Sequence, residues 1–318
     1  MGITFTKNAV LCCALLCTQL AAASDEPLQP LPDLRTLKLD ARKIQLGRAL
    51  FHDVRLSKND IISCASCHIL DAGGVDNKRY SMGASGTLGK VNTPTVLNAG
   101  NNFHQFWDGR ADSLEEQVAD SINSPTELAS NWPAVLAKLN HDAGLVQQFK
   151  TIYTDGVQAK NIQDAIAVFE RSLLTPSRFD RYLSGDVKAI SAEELEGYKK
   201  FKDYGCVGCH QGVNVGGNMF QTFGVMHNYF KVRGNQNEAD LGRFNVTKLE
   251  SDKHVFKVPS LRNVALTAPY FHDGSATTLS DAVNVMFKYQ LGRRGSEADK
   301  ALIVKFLHTL TGETLSPK

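Results

Sequence analysis

The 318-residue chain has no surplus of charge of either sign: 35 Lys and Arg against 33 Asp and Glu leave a formal net charge of +2. That balance gives no electrostatic reason to expect nucleic acid or an anionic membrane surface as a partner. Long hydrophobic runs are also missing. The one apolar stretch, Ala9 to Leu20, is too short to favour a membrane-spanning helix. With Lys7 before it and Ala21-Ala22-Ala23 after it, the stretch reads as a secretory signal removed after Ala23, so that residues 1–23 are a leader. Bulky Leu16 precedes Cys17 where a lipoprotein signal wants a small residue, which argues against a lipid anchor. Strand signals are sparse, so the expected class is mainly α. Spare cysteine is absent as well. Of the 7 cysteines, Cys12, Cys13 and Cys17 fall in the leader, and the other four form two close pairs. Nothing remains for a disulfide or a separate reactive thiol.

Each pair is followed at once by histidine: Cys64-Ala65-Ser66-Cys67-His68 and Cys206-Val207-Gly208-Cys209-His210. Two thiols three residues apart can add across the vinyl groups of a haem, and the adjacent imidazole then reaches its iron. One copy could be chance or half of a zinc site. Two copies, each ending in His and preceded by an export signal, point to two covalently bound haem c groups rather than to zinc sites or redox dithiols. Cys64, Cys67, Cys206 and Cys209 are the expected anchors, and His68 and His210 the proximal iron ligands. The expected compartment is the periplasm. An iron with two protein ligands mainly transfers electrons, whereas one with an open face can meet a small oxidant. Spacing alone does not choose the second ligands among the remaining His and Met residues.

Helical spacing appears at Leu39 to Phe51, just before the first motif. It returns after an N-cap at Asp112 or Ser113, at 132–140, 142–152 and 161–174. Ser191 and Glu194 form a capping box opening a helix up to Tyr204, just before the second motif. Leu279 to Tyr289 and 297–310 read as the last helices. Between them, 71–102 is a long loop rich in Gly, Asn, Ser and Thr, and loops of that length are usually functional. The repeat of helix, haem motif, loop and later helices predicts two cytochrome-c-like domains, 24–185 and 186–318, packed around an interface.

Further segments carry a resemblance. They are Leu56-Ser57, Asn92-Thr93-Pro94-Thr95-Val96-Leu97-Asn98-Ala99 and Gln105-Phe106-Trp107-Asp108-Gly109-Arg110-Ala111 in the first half. In the second they are Asp240-Leu241-Gly242-Arg243-Phe244, Pro259-Ser260-Leu261-Arg262-Asn263 and Pro269-Tyr270-Phe271-His272-Asp273-Gly274. With them the chain resembles the bacterial dihaem cytochrome c peroxidases and the related MauG-like enzymes over essentially its whole mature length. The resemblance implies a peroxidatic haem at the first motif and an electron-relay haem at the second. It implies Met286 as the relay haem's distal ligand, where the alternative is an ordinary core Met; MauG itself carries a Tyr there. Trp107 matches the tryptophan between the haems, and also suits an interdomain core. Gln117 and Glu127 match distal-pocket residues, Glu127 as acid–base in O–O cleavage; the plainer reading of Glu127 is a helix N-terminal acid. Asn92, Thr267 and Pro269 match a calcium site, and His272 a residue near the relay haem. His52, His104, His141, His227, His254 and His308 match no ligand position.

The chain departs from the pattern at one place. Many family members carry a His in the loop after the first motif that blocks the peroxidatic iron at rest; the matching position is Ala84, and 69–103 holds no His. The expectation is an open or water-bound iron that needs no reductive activation, with Met82 a poor substitute ligand. The leading function is therefore a periplasmic peroxidase that reduces hydrogen peroxide with electrons from a small cytochrome c or cupredoxin. The alternative is a MauG-like enzyme that uses peroxide to oxidise a partner protein. The resemblance leaves homodimer formation open.

Overall fold

The computed structural model describes residues 1–2 and 26–314. Lys7, the apolar run to Leu20 and the expected cleavage point after Ala23 lie outside the described residues. Among them the chain forms α1 (Ala41–Phe51), α2 (Leu114–Asn123), α3 (Trp132–Asn140), α4 (Ala143–Ile152), α5 (Ala159–Arg171) and α6 (Arg178–Leu183). These are followed by α7 (Ala192–Asp203), α8 (Tyr229–Arg233), α9 (Phe244–Thr247), α10 (Leu279–Val285) and α11 (Glu297–His308). One two-stranded antiparallel sheet pairs β1 (Phe220–Thr222) with β2 (Val255–Lys257), Phe220 opposite Lys257. No helix of the described residues is long and apolar enough to cross a membrane.

Short polar side chains start the helices, because each accepts a hydrogen bond from an otherwise orphaned first-turn N–H. Asp40 does this for α1, Ser113 for α2, Asn131 for α3, Asp142 for α4 and Ser296 for α11. Ser191 and Glu194 close the expected capping box on α7. Helix α5 ends at Arg171, earlier than its periodicity suggested, because the Ser172 hydroxyl donates to the Phe169 carbonyl (2.6 Å) and the turn closes there. The short helices α6, α8 and α9 and the sheet carry too few residues for a periodic signal.

The internal repeat extends to packing. In the first half α1 crosses α5, and a Cβ on Gly47 would lie 1.9 Å from the Ala165 carbonyl oxygen. In the second half α7 crosses α11, and a Cβ on Gly197 would lie 2.0 Å from the Leu302 carbonyl oxygen. In both halves the helix leading into the haem motif meets a later helix, α5 or α11, backbone to backbone, at a residue with no side chain. Around the first crossing pack Leu46, Leu50, Phe51, Ile162, Ile166 and Phe169. The second is walled by Phe179, Tyr198, Phe201 and Phe306, with three ring centroids 4.8–5.1 Å from that of Phe306 or Phe179.

Core membership does not follow chain order throughout. Leu28 and Phe179 of α6 pack into the second core. The buried guanidinium of Arg262 makes two 2.9 Å bonds to Asp180 of α6 and a third to the Val213 carbonyl (2.6 Å). The long loop of the first half is stitched onto the second half in the same way. Phe103 N–H donates to Gly217, Arg79 Nε to Asp273, Asn77 Nδ2 to Leu266 and Ala268, and Asn92 N–H to His272. That loop ties the two halves together.

Candidate active site

The first motif folds as one 3₁₀ turn, Cys64–Ser66, with the Cys67 and His68 N–H groups both donating to the Cys64 carbonyl (3.2 and 3.0 Å). This places both thiols and the imidazole on one cavity of ≈ 160 Å³. His68 Nδ1 lies 3.1 Å from the Gly74 carbonyl oxygen. A carbonyl can only accept, so Nδ1 carries the proton and Nε2 keeps a free lone pair, as an iron ligand requires. Gly74 is needed for this: its φ is +74°, and a Cβ there would lie 2.6 Å from Thr95 Oγ1. Burial lowers the His68 pKa, which keeps the ring neutral, and burial raises those of Cys64 and Cys67. No disulfide joins the two thiols.

The same cavity is lined by Gln117 of α2 and Glu127, and His68 is its only His or Met among the described residues. Gln117 Nε2 donates to Ser121 Oγ (2.8 Å), and Glu127 Oε1 lies 3.8 Å from an Arg110 nitrogen. Ala84 is docked on the Glu127 turn: its N–H donates to the Glu127 carbonyl (2.7 Å), and its own carbonyl accepts from Asn59 Nδ2 (2.8 Å). Neighbouring Gly83 lines the cavity, whereas Met82 is half-exposed and does not.

The second motif repeats the turn at Cys206–Gly208 and opens on a larger cavity of ≈ 250 Å³, lined by Cys206, Cys209 and His210. His210 Nδ1 is buried without a hydrogen bond, and burial pulls the ring's pKa down to about 4. Met286 lines this cavity together with His210. It ends α10 and begins a single π-helical turn, Met286–Gln290, where the sequence suggested one continuous helix. Such turns often mark functional sites. Trp107, Phe223, Phe256 and His272 form an aromatic wall on the same cavity. Residues 92–95 line both cavities and so form the partition between them. Trp107 is tied to that partition by Nε1, which donates to the Asn92 carbonyl (2.8 Å). His52, His104, His141, His227, His254 and His308 line neither cavity.

Two cavities, each with two unpaired thiols and a neutral buried imidazole in an apolar lining, suit a covalently attached haem. A family described as di-haem cytochrome c peroxidase matches residues 41–188. The cytochrome c551 peroxidase of Nitrosomonas europaea is 46% identical over 92% of this chain and 86% of its own length. The cytochrome c peroxidase Ccp of Escherichia coli strain K12 is 48% identical over 91% of this chain, which spans 62% of that longer protein. The chain belongs to the di-haem cytochrome c peroxidase family. As a member it is an oxidoreductase that uses haem c. A crystal structure of a MauG-like protein associated with microbial copper homeostasis superposes with a TM-score of 0.76. That likeness has 26% identity and covers 93% of this chain and 96% of the other.

Other features of this peroxidase-family chain escaped sequence reading. His272 Nε2 is 2.7 Å from Asp240 Oδ1, and Arg233 bonds both Asp240 and Asp273. These carboxylates with His272 have the donor types of a cation site, but Arg233 already supplies the positive charge. Burial pushes the Asp240 carboxyl up, yet hydrogen bonds from His272 and Arg233 hold it well below the usual range. Glu170, on α5 in the first cavity, is buried and pushed up to about 8 by desolvation. Lys257 is buried in the second. Neither belongs to a recognisable motif, and only the fold brings them to a cavity.

Asn92, Thr267 and Pro269 all line the second cavity. Asn77 Nδ2 bridges the Leu266 and Ala268 carbonyls of the same turn, and the Thr267 and Pro269 carbonyls accept no hydrogen bond from a described residue.

Proposed function

We propose that the chain reduces one hydrogen peroxide to two waters with two protons and two electrons, the electrons coming singly from a small cytochrome c or cupredoxin. The observation that carries this reading is the asymmetry of the cavities. One combines His210 with Met286, and the other combines His68 with Gln117 and Glu127 and, among the described residues, no second His or Met. When bound, the two haems supply iron that exchanges single electrons and, where one face stays open, meets peroxide. His210 and Met286 would hold the relay haem, and His68 would hold the peroxidatic haem.

Glu127 is the proton carrier in this reading. Its carboxylate would take a proton from the inner peroxide oxygen and return it to the outer one, so that water leaves. Gln117, oriented by its bond to Ser121, would hold peroxide in reach of that carboxylate. Trp107, fixed to the partition by Asn92, provides an aromatic path between the cavities, with His272 beside it at 6.4 Å between ring centroids. Two carbonyls without donors among the described residues, on residues that line the same cavity as Asn92, suit a hard cation, and we assign calcium to Asn92, Thr267 and Pro269. Export to the periplasm and cleavage after Ala23 complete the proposal.

The docking of Ala84 on the Glu127 turn supports a peroxidatic site open at rest, since that loop brings no imidazole or thioether to the cavity. The test is addition of peroxide to the fully ferric protein. An immediate spectral change at the first haem is expected; no change until one haem is pre-reduced overturns the open site. An open site at rest is shared with MauG-like enzymes, so steady-state oxidation of reduced cytochrome c by peroxide separates the two functions. Rapid turnover supports the peroxidase, and negligible turnover the modification of a protein partner. Glu127→Gln is expected to slow turnover by about 10²–10⁴-fold while leaving both haems attached.

A further inference from the structure

The second cavity holds a charge with no partner. Lys257, on β2, is 5% exposed and lines the cavity, and makes no side-chain hydrogen bond or ion pair with any described residue. Among the described residues no Asp or Glu lines that cavity; of its two histidines, His272 is hydrogen-bonded to Asp240 and His210 is the neutral ring of the haem motif. A buried, unpaired ammonium is strongly disfavoured, so such a group is retained where something neutralises it. Here the neutralising charge must arrive with the occupant. A haem carries two anionic groups, its propionates.

We propose that Lys257 is the counter-ion of a propionate of the haem anchored at Cys206 and Cys209, and that it raises the reduction potential of that haem. The assignment rests on the reading of Cys206-Val207-Gly208-Cys209-His210 as a haem site. An ammonium beside the haem edge disfavours the extra positive charge of the ferric state, so the ferrous state gains. Burial alone lowers the Lys257 pKa to about 8, and a neighbouring anion restores its charge. The lysine backbone is held in place on both sides: its N–H donates to the Trp107 carbonyl (2.9 Å), and its strand pairs with Phe220. Lys257 therefore joins the second cavity to the residue on the partition.

The first cavity has the opposite charge pattern. Its cations are already paired, Lys90 with Glu238 (2.9 Å) and Arg110 with Asp108 (3.2 Å), and its acids are Glu127, 3.8 Å from Arg110, and Glu170, which burial keeps protonated. The protein thus places an uncompensated cation at one haem and carboxyl groups at the other. That contrast drives electrons towards storage at the second haem, whatever its axial ligands add.

The experiment is a spectroelectrochemical titration of the holoprotein and its Lys257→Gln and Lys257→Arg variants, after counting covalent haems by pyridine haemochrome. Lys257→Gln is expected to keep both haems and to shift the oxidised-to-reduced equilibrium of the relay haem at least tenfold towards ferric, about 59 mV for one electron. Lys257→Arg, which keeps the charge, stays within threefold of wild type. A Lys257→Gln midpoint within twofold of wild type overturns the assignment. Should that variant fail to accumulate, the propionate vibrations of the relay haem decide it. They are expected to differ between wild type and Lys257→Arg, and identical bands overturn the contact. A wild-type protein with fewer than two covalent haems refutes the haem reading itself, not the lysine assignment.

Discussion

Substituting Gly47 by Ala tests whether the backbone crossing of α1 and α5 organises the first half. On an exposed helix Ala is better than Gly by about 1 kcal/mol, so propensity alone predicts stabilisation. The structure predicts the reverse. The new Cβ would lie 1.9 Å from the Ala165 carbonyl oxygen and 2.8 Å from the Phe169 Cβ, and both belong to a helix that cannot yield locally. Reaching even 3.0 Å requires the helices to part by about 1 Å, a gap that forfeits a quarter to a half of each facing dispersion contact. The side chains affected include Leu46, Leu50, Ile162 and Ile166, none with any exposure. Overpacking of this kind costs about 1–3 kcal/mol or more, so the net expectation is a loss of about 2 kcal/mol. That lowers the melting temperature by roughly 4–8 °C, on the scale of 2–4 °C per kcal/mol for a domain of this size. Thermal unfolding of the holoprotein, followed by far-ultraviolet circular dichroism, measures it. Gly144→Ala is the control. It sits in the first turn of α4, where a Cβ meets nothing nearer than 3.4 Å, and it should be neutral or stabilising. A Gly47→Ala protein as stable as wild type would refute the reasoning, because the helices would then be free to separate.

Three further outcomes are expected. Met286→His should lower the midpoint potential of the relay haem by on the order of 0.1 V, since a thioether ligand favours the ferrous state; an unchanged potential would remove Met286 from the iron. Breaking the buried ion pair with Asp180→Asn should cost about 3–5 kcal/mol in urea unfolding, because Arg262 is left charged and buried; a loss under 1 kcal/mol would contradict it. Glu170 has a folded pKa of about 8, raised by burial above its unfolded value. The folded state therefore holds a proton that the unfolded state has released, and stability falls as pH rises from about 4.5 to 8. Glu170→Gln should accordingly be more stable than wild type by a few kcal/mol at pH 7 and equal to it near pH 4, as read from paired denaturation curves at the two pH values.

The sequence by itself determined the two Cys-x-x-Cys-His turns, because Cys64, Cys67 and His68, and Cys206, Cys209 and His210, lie close together in the chain, and that closeness brings each set onto one cavity. It also determined the helix start at Ser191 and narrowed that of α2 to Asp112 or Ser113, since a cap acts on its own first turn. What depends on residues far apart was decided only by the tertiary structure. Gly47 and Gly197 look like blemishes in helical patterns until the crossing helices are seen. The π-helical turn that begins at Met286, on the second cavity, has no local signature in the sequence. Likewise Lys257 follows two apolar residues in an unremarkable strand, and its burial beside a cavity that no acid of the described residues lines arises from the chain folding back on the second motif. Local chemistry is written in neighbours along the chain; the charge around each haem is set by neighbours in space.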